Sequence, residues 1–190
     1  GSVIHAMSGE QNIRHMGGLY KRIPVTYALV WIGSLALAGI PFFAGYYSKD
    51  WILKSLYAAI GQRAAVIPYV FGLIAAFLTA FYSWRLIMLV FHGNIKANDH
   101  VKAHIHEAPL SMLIPKLVLS VGAVFGGVAL FPLFTNPDLI AGAFFYTPLD
   151  HEAETLMNWL PVIIAAIGMA MAVWVYTSYR KTLAIWGETH

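Results

Sequence analysis

The stretch from Val25 to Ala59 constrains this chain more than any other. It runs for 35 positions of almost unbroken apolar character, with charge only at Lys49, Asp50 and Lys54. As one straight helix it would make a rod of about 50 Å at ~1.5 Å per residue, whereas the hydrocarbon layer of a bilayer is about 30 Å thick. Such a segment either tilts steeply or breaks. Three further apolar runs, Ala65–Phe91, Leu110–Phe131 and Leu160–Tyr179, are each long enough to cross a bilayer. Composition agrees, because 59% of the residues are hydrophobic and 11% charged, against roughly 45–50% and 25% in soluble domains. The expected fold class is an all-α membrane bundle of about four transmembrane helices, the first discontinuous. It leaves no room for a sizeable extramembrane domain.

The segments between the runs set the organisation. Residues 1–24 read as the end of a preceding helix followed by a cytoplasmic loop with a short helix, for which Ser8 offers an N-cap, Gln11 the residue three positions on, and Gly17-Gly18 the stop. Then come the broken span 25–59, a second span 65–91, a His-rich cytoplasmic loop 92–109 and a third span 110–131. An outward acidic loop 132–158, a last span 160–179 and a cytoplasmic tail 180–190 complete the chain. Arg14, Lys21, Arg22, Lys96, Lys102, Arg180 and Lys181 then fall on one side and only Arg63 on the other. By the positive-inside rule the basic side is cytoplasmic. The outward loop carries Asp138, Asp150, Glu152 and Glu154 with no Lys or Arg. Trp159, Trp174, Tyr176 and Tyr179 lie near the ends of the last span, where amphipathic rings favour the headgroup layer. Gly122 and Gly126 have the spacing that lets a neighbouring helix approach closely.

The formal net charge of +3 is spread over loops and forms no stripe, so the expected partner is the lipid bilayer and not nucleic acid. The absence of cysteine removes thiolate metal sites, iron–sulfur ligation and disulfides together. No phosphate-cradling glycine loop, nucleophile elbow or zincin helix is present. The loop histidines His92, His100, His104 and His106, with Asp99 and Glu107, include an H-x₃-H-x-H pattern, but nothing in the sequence fixes a ligand geometry, and they read as a solvated loop.

Chemistry concentrates between Gly39 and Lys54. Pro41 removes a backbone donor and clashes with the preceding turn, and Gly39 and Gly45 lower the cost of leaving helical geometry, so the break is expected there. Freed carbonyls at membrane depth need protein or water as partners, and such breaks are tolerated where they line a cavity. Lys49 and Asp50 follow directly. An ionisable residue inside the membrane costs at least ~2.5–3.5 kcal/mol on insertion scales and therefore marks a functional position by default. The competing reading puts Lys49 past the break at the outer headgroup layer, snorkelling to water. Adjacent helical residues do not face one another, so Asp50 pairs more naturally with Lys54, at i,i+4, than with Lys49. Arg85 lies near the end of the second span, where it reads as an anchor. Lys116, beside Pro115 at the start of the third, fits either snorkelling or a polar path.

The blocks Gly1-Ser2-Val3-Ile4-His5, Glu10 to Arg14, Met16-Gly17-Gly18-Leu19, Gly33 to Pro41 and Gly45-Tyr46-Tyr47-Ser48-Lys49-Asp50 occur in an order and spacing that resembles the antiporter-like subunit L (chain 5) family of respiratory complex I. Thr79 to Arg85 and His106-Glu107-Ala108-Pro109 resemble it too, so the specific likeness covers about residues 1–130. The resemblance implies a C-terminal fragment of a proton-translocating membrane-arm subunit of NADH-quinone oxidoreductase, contributing the exit half of a proton path. It assigns proton translocation to Lys49, with Asp50 beside it, on a discontinuous helix marked by Gly39, Pro41 and Gly45. His5, Lys54, Arg85 and Lys116 are left as polar-path or anchoring positions. It implies no catalytic residue, metal or cofactor in this chain: NADH, FMN, iron–sulfur clusters and quinone belong to partner subunits, and catalysis to the assembled enzyme. The other membrane-arm subunits are the implied partners, and the bacterial inner membrane is preferred to the mitochondrial one as location. The family's upstream glutamate–lysine pair, central lysine and later lateral helix are missing, so this stretch alone is not expected to pump. Two alternatives stay open. One is the large subunit of a multisubunit Na⁺/H⁺ antiporter or membrane-bound hydrogenase, and the other a structural membrane-arm element without a proton relay.

Overall fold

A computed structural model describes residues 1–58, 65–134 and 154–178. All of the regular structure among them is helical. Helix α1, Ser2–Ala6, is followed by 3-10 turns at Ile13–His15 and Leu19–Lys21. The longer helices are α2 (Pro24–Ala38), α3 (Ala44–Ala58), α4 (Val66–Val90), α6 (Leu110–Phe134) and α7 (Glu154–Ser178), with the short α5 (Asp99–His104) between α4 and α6. Val66–Val90, Leu110–Leu133 and Trp159–Ser178 are long and apolar enough to cross a membrane, and Pro24–Ala38 is a shorter apolar helix.

The first apolar run is divided into two helices of 15 residues each, α2 and α3. At ~1.5 Å per residue neither reaches across ~30 Å of hydrocarbon alone. Together they do. The start of α2 meets the start of α6 through Thr26 and Glu107, while Tyr47 and Trp51 of α3 pack on Phe131 near the far end of α6. The two half-helices therefore make one interrupted crossing in the same sense as α6. α4 returns beside them, since Tyr20 N–H bonds to the Phe91 carbonyl at one end and Tyr57 packs on Tyr69 at the other. α7 follows α4 closely: Gly168 lies against the Phe77 carbonyl and Ala80, and Tyr176 against Phe81.

The buried core is densest where residues 1–24 and the segment after α4 meet. Met7, Leu19, Ile23 and Phe91 are fully buried there, and Gly18 N–H bonds to the His92 carbonyl. Gly17 and Gly18 have positive φ, and a Cβ at either would collide with the backbone at Asn94 or Gly93. Only glycine permits that approach. Arg14, Lys21 and Arg22 thus share one end of the bundle with Lys96 and Lys102.

Several sequence-level expectations are corrected. The short helix after Ser8 does not form. Ser8 and Gly9 have φ of 54° and 94°, and Gly9 N–H bonds back to the Ile4 carbonyl, so both close α1 instead of starting a helix. The side chain that accepts a capping bond is Asn12, from Arg14 N–H, at the 3-10 turn. Residues 92–109 are not all loop, because α5 occupies part of them, and α6 continues through Pro132 to Phe134 instead of ending at Phe131. α7 starts at Glu154, six residues before the expected Leu160. The close approach on α6 is at Gly127, against Ala44 and Tyr47; Gly122 and Gly126 face open space. Arg63, most of the acidic loop, Tyr179, Arg180, Lys181 and the tail lie outside the described residues.

Candidate functional site at the helix break

α2 ends in a Schellman arrangement. Gly39 adopts the left-handed conformation at φ 79°, its N–H bonds to the Ala36 carbonyl, and Ile40 N–H bonds to the Leu35 carbonyl. The chain then turns on Ile40-Pro41-Phe42-Phe43, closed by Phe43 N–H to the Ile40 carbonyl. Pro41 takes the second place of that turn, where its fixed φ is suited, and Phe42 the third with φ 78°. A positive φ is uncommon for a bulky residue and strained. α3 begins at Ala44, and Gly45 comes so close to the Ala36 carbonyl that a Cβ would overlap it.

The Schellman bonds satisfy Leu35 and Ala36 but leave the next carbonyl, Leu37, to find another donor. Lys49 supplies it. Its Nζ donates to the Leu37 carbonyl oxygen at 2.5 Å from one turn into α3, with the side chain half-buried and running past Gly39. A positive charge at a helix C-terminus is favoured by the helix dipole. Asp50 does not share this contact. It is 8% exposed and holds an ion pair with Lys54 at 2.7 Å. The two adjacent ionisable residues thus serve different partners.

A cavity of about 530 Å³ opens between α1, α2, the start of α3 and α6. Ala36, Leu37 and Gly45 line its inner end at the break, and Ser2, Thr26 and Lys116 line the end near the loops. Lys116 is half-buried and hydrogen-bonds the Ser2 hydroxyl. Sequence reasoning offered Lys116 two roles, and the structure puts it on this cavity. Arg85 is exposed on α4, and His5 is exposed with its ring edge-on to His106 at 5.4 Å. Neither joins Lys49.

In the sequence Glu107 stands beside the loop histidines and in the block His106-Glu107-Ala108-Pro109, yet among the described residues its carboxylate accepts three hydrogen bonds from α2. Its Oε2 accepts from Val25 N–H at 3.0 Å and its Oε1 from Thr26 N–H at 3.2 Å, and the Thr26 hydroxyl also donates to it. These are the free amides of the first turn of α2, for which Ile23 at the N-cap offers no side-chain acceptor. His92 meets the Tyr27 hydroxyl at 3.2 Å, and His104 and His106 also contact nearby carbonyls. His104 Nδ1 contacts the His100 carbonyl at 2.7 Å and His106 Nδ1 the His104 carbonyl at 2.8 Å, and among the described residues no group of three or more His, Asp or Glu converges as a metal site.

Residues 1–79 match the family described as NADH:quinone oxidoreductase/Mrp antiporter, TM. The chain is 39% identical over 187 residues to NADH-ubiquinone oxidoreductase chain 5 of Chondrus crispus, which covers 92% of this chain and 28% of that protein. It is 45% identical over 165 residues to NADH-quinone oxidoreductase subunit L of Rhodobacter capsulatus, covering 81% and 22%. With subunit L of Rickettsia bellii it shares 39% over 186 residues, covering 94% and 28%. The chain therefore spans about a quarter of the length of these relatives.

Proposed function

We propose, for a chain that belongs to the antiporter-like subunits of NADH-quinone oxidoreductase, that it forms the exit half of a proton path in which Lys49 is the protonable relay. The observation that carries this reading is the Lys49 ammonium on the Leu37 carbonyl, at a break in a membrane-crossing helix and beside a cavity. A cationic amine there caps a helix end. When it gives up its proton, the electrostatic part of that capping is lost, so the proton affinity of Lys49 is tied to the geometry of the break. The cavity has room for several waters at about 30 Å³ each, and its hydroxyls and Lys116 offer them partners. The Asp50–Lys54 pair stays on the α3 side, a neutral unit that fixes the helix face.

The partners are the other membrane-arm subunits and the lipid around them, in the inner membrane of a bacterium. NADH, FMN, iron–sulfur clusters and quinone belong to other subunits. This chain, with no cysteine, offers no thiolate for a cluster. The relatives compared are named chain 5 or subunit L, which favours this enzyme over a separate Na⁺/H⁺ antiporter. The test is made in the full-length subunit within the assembled complex. Lys49→Met should remove most proton pumping while NADH-to-quinone electron transfer, measured with the membrane uncoupled, persists. Lys49→Arg should keep the cap but impair release, because a guanidinium holds its proton at any accessible pH. Normal pumping by Lys49→Met would leave Lys49 an anchoring residue.

A further inference from the structure

α2 is held at both ends by charges from elsewhere in the chain. At its N-terminus the Glu107 carboxylate takes the Val25 and Thr26 amides and the Thr26 hydroxyl. At its C-terminus the Lys49 ammonium takes the Leu37 carbonyl. Each charge has the sign that the helix dipole favours at that end, negative at the amides and positive at the carbonyls. No charged side chain occurs on α2 itself, so both charges come from outside it. The C-terminal carbonyl presented to Lys49 is therefore set by how α2 is seated, and the seat is Glu107.

We infer that Glu107 is a positioning residue for Lys49: it fixes and polarises the half-helix whose Leu37 carbonyl, in the last turn, Lys49 holds. This rests on Lys49 being the proton relay. The sites are separated by about 22 Å, the length of 15 residues at ~1.5 Å each. Two unit charges at that distance in an effective dielectric near 20 interact by an amount that corresponds to about half a pH unit. Other charges near Lys49 are accounted for. Asp50 and Lys54 pair with one another on α3, Lys116 lines the cavity from α6 within electrostatic reach of Glu107, and Arg85 of α4 is exposed. Tyr46 and Tyr47 are the other titratable groups nearest on α3, and Trp159 to Ser178 of α7 contain no charge.

The experiment is run in the full-length complex with Lys49→Met as reference. Glu107→Gln should pump, with the pH at which pumping falls to half displaced to lower pH by about half a unit, while uncoupled electron transfer keeps the native pH profile. Thr26→Glu added to Glu107→Gln returns a carboxylate to the same helix end from the helix itself, and should restore the native profile. It also serves if Glu107→Gln alone fails to assemble. A native profile in Glu107→Gln, or a displaced one in the double variant, overturns the inference. If Lys49→Met already pumps normally, the relay reading fails first and this inference falls with it. If Lys49→Met abolishes pumping and Glu107→Gln leaves the profile untouched, only the positioning role is wrong.

Discussion

Phe42 and Gly45 show how little slack the break has. Phe42 holds φ 78° and is 77% exposed, so within this chain it gains little from burial to offset a strained backbone. Phe42→Gly is expected to be tolerated, with thermal stability of the detergent-solubilised protein unchanged or raised by up to about 1 kcal/mol. Gly45→Ala should behave oppositely. Its Cβ would overlap the Ala36 carbonyl, and because backbone lies on both sides, α2 and α3 would have to separate. A loss of about 1–3 kcal/mol, read as reduced assembly, is the expected outcome, and native amounts of assembled Gly45→Ala would show that the half-helices are not so close. At the other end of the molecule Glu10 is a pH-dependent contact. Its carboxylate accepts from Asn12 N–H at 2.8 Å and meets His15 Nδ1 at 3.2 Å. The Asn12 amide first, and His15 second, hold its pKa below the usual value. A lowered folded pKa means the contact stabilises fully above the normal carboxylate range and is lost as pH falls through the lowered value. The protection of the Asn12 amide, measured against its intrinsic exchange rate at each pH, should fall over that acid window in the native protein. In Glu10→Gln it should show no such step.

At the scale of elements, the break was legible because its causes are local. Excess length, Pro41 and two glycines all lie within the segment they shape, and so does the i,i+4 pairing of Asp50 with Lys54. What the sequence did not disclose depends on distant chain. Glu107 caps a helix 81 or 82 positions earlier, and no spacing rule reaches that far. Ser8 was misread because a serine followed by a glutamine three positions on is an N-cap signal only if the backbone enters a helix there. Here a left-handed pair ends one. Gly122 and Gly126 were chosen by spacing, whereas packing against α3 uses Gly127, since the rotation of α6 about its axis is set by tertiary contacts. This yields a direct comparison. Gly127→Val should force Tyr47 and Ala44 away and lower the amount of assembled subunit, and Gly126→Val should be nearly neutral. The opposite ranking would mean that α6 presents the other face to α3.

For the molecule as a whole, the end at which the basic segments gather decides the direction of the proposed proton path. Tyr20, Gly18 and Val25 bond to Phe91, His92 and Glu107 respectively, so Arg14, Lys21 and Arg22 lie on the same side as Lys96 and Lys102 through backbone contacts, independently of any charge count. By the positive-inside rule that side is expected to face the cytoplasm. The break and Lys49 lie deeper along the interrupted crossing, towards the opposite face. Because this stretch contains no cysteine, single cysteines introduced at Asn98 and Lys102 report the side without background from it. A membrane-impermeant maleimide should label them in inverted inner-membrane vesicles and not in intact spheroplasts. Labelling in spheroplasts would reverse the bundle, place Lys49 nearer the cytoplasmic face, and remove the ground for assigning this half of the proposed path to the exit.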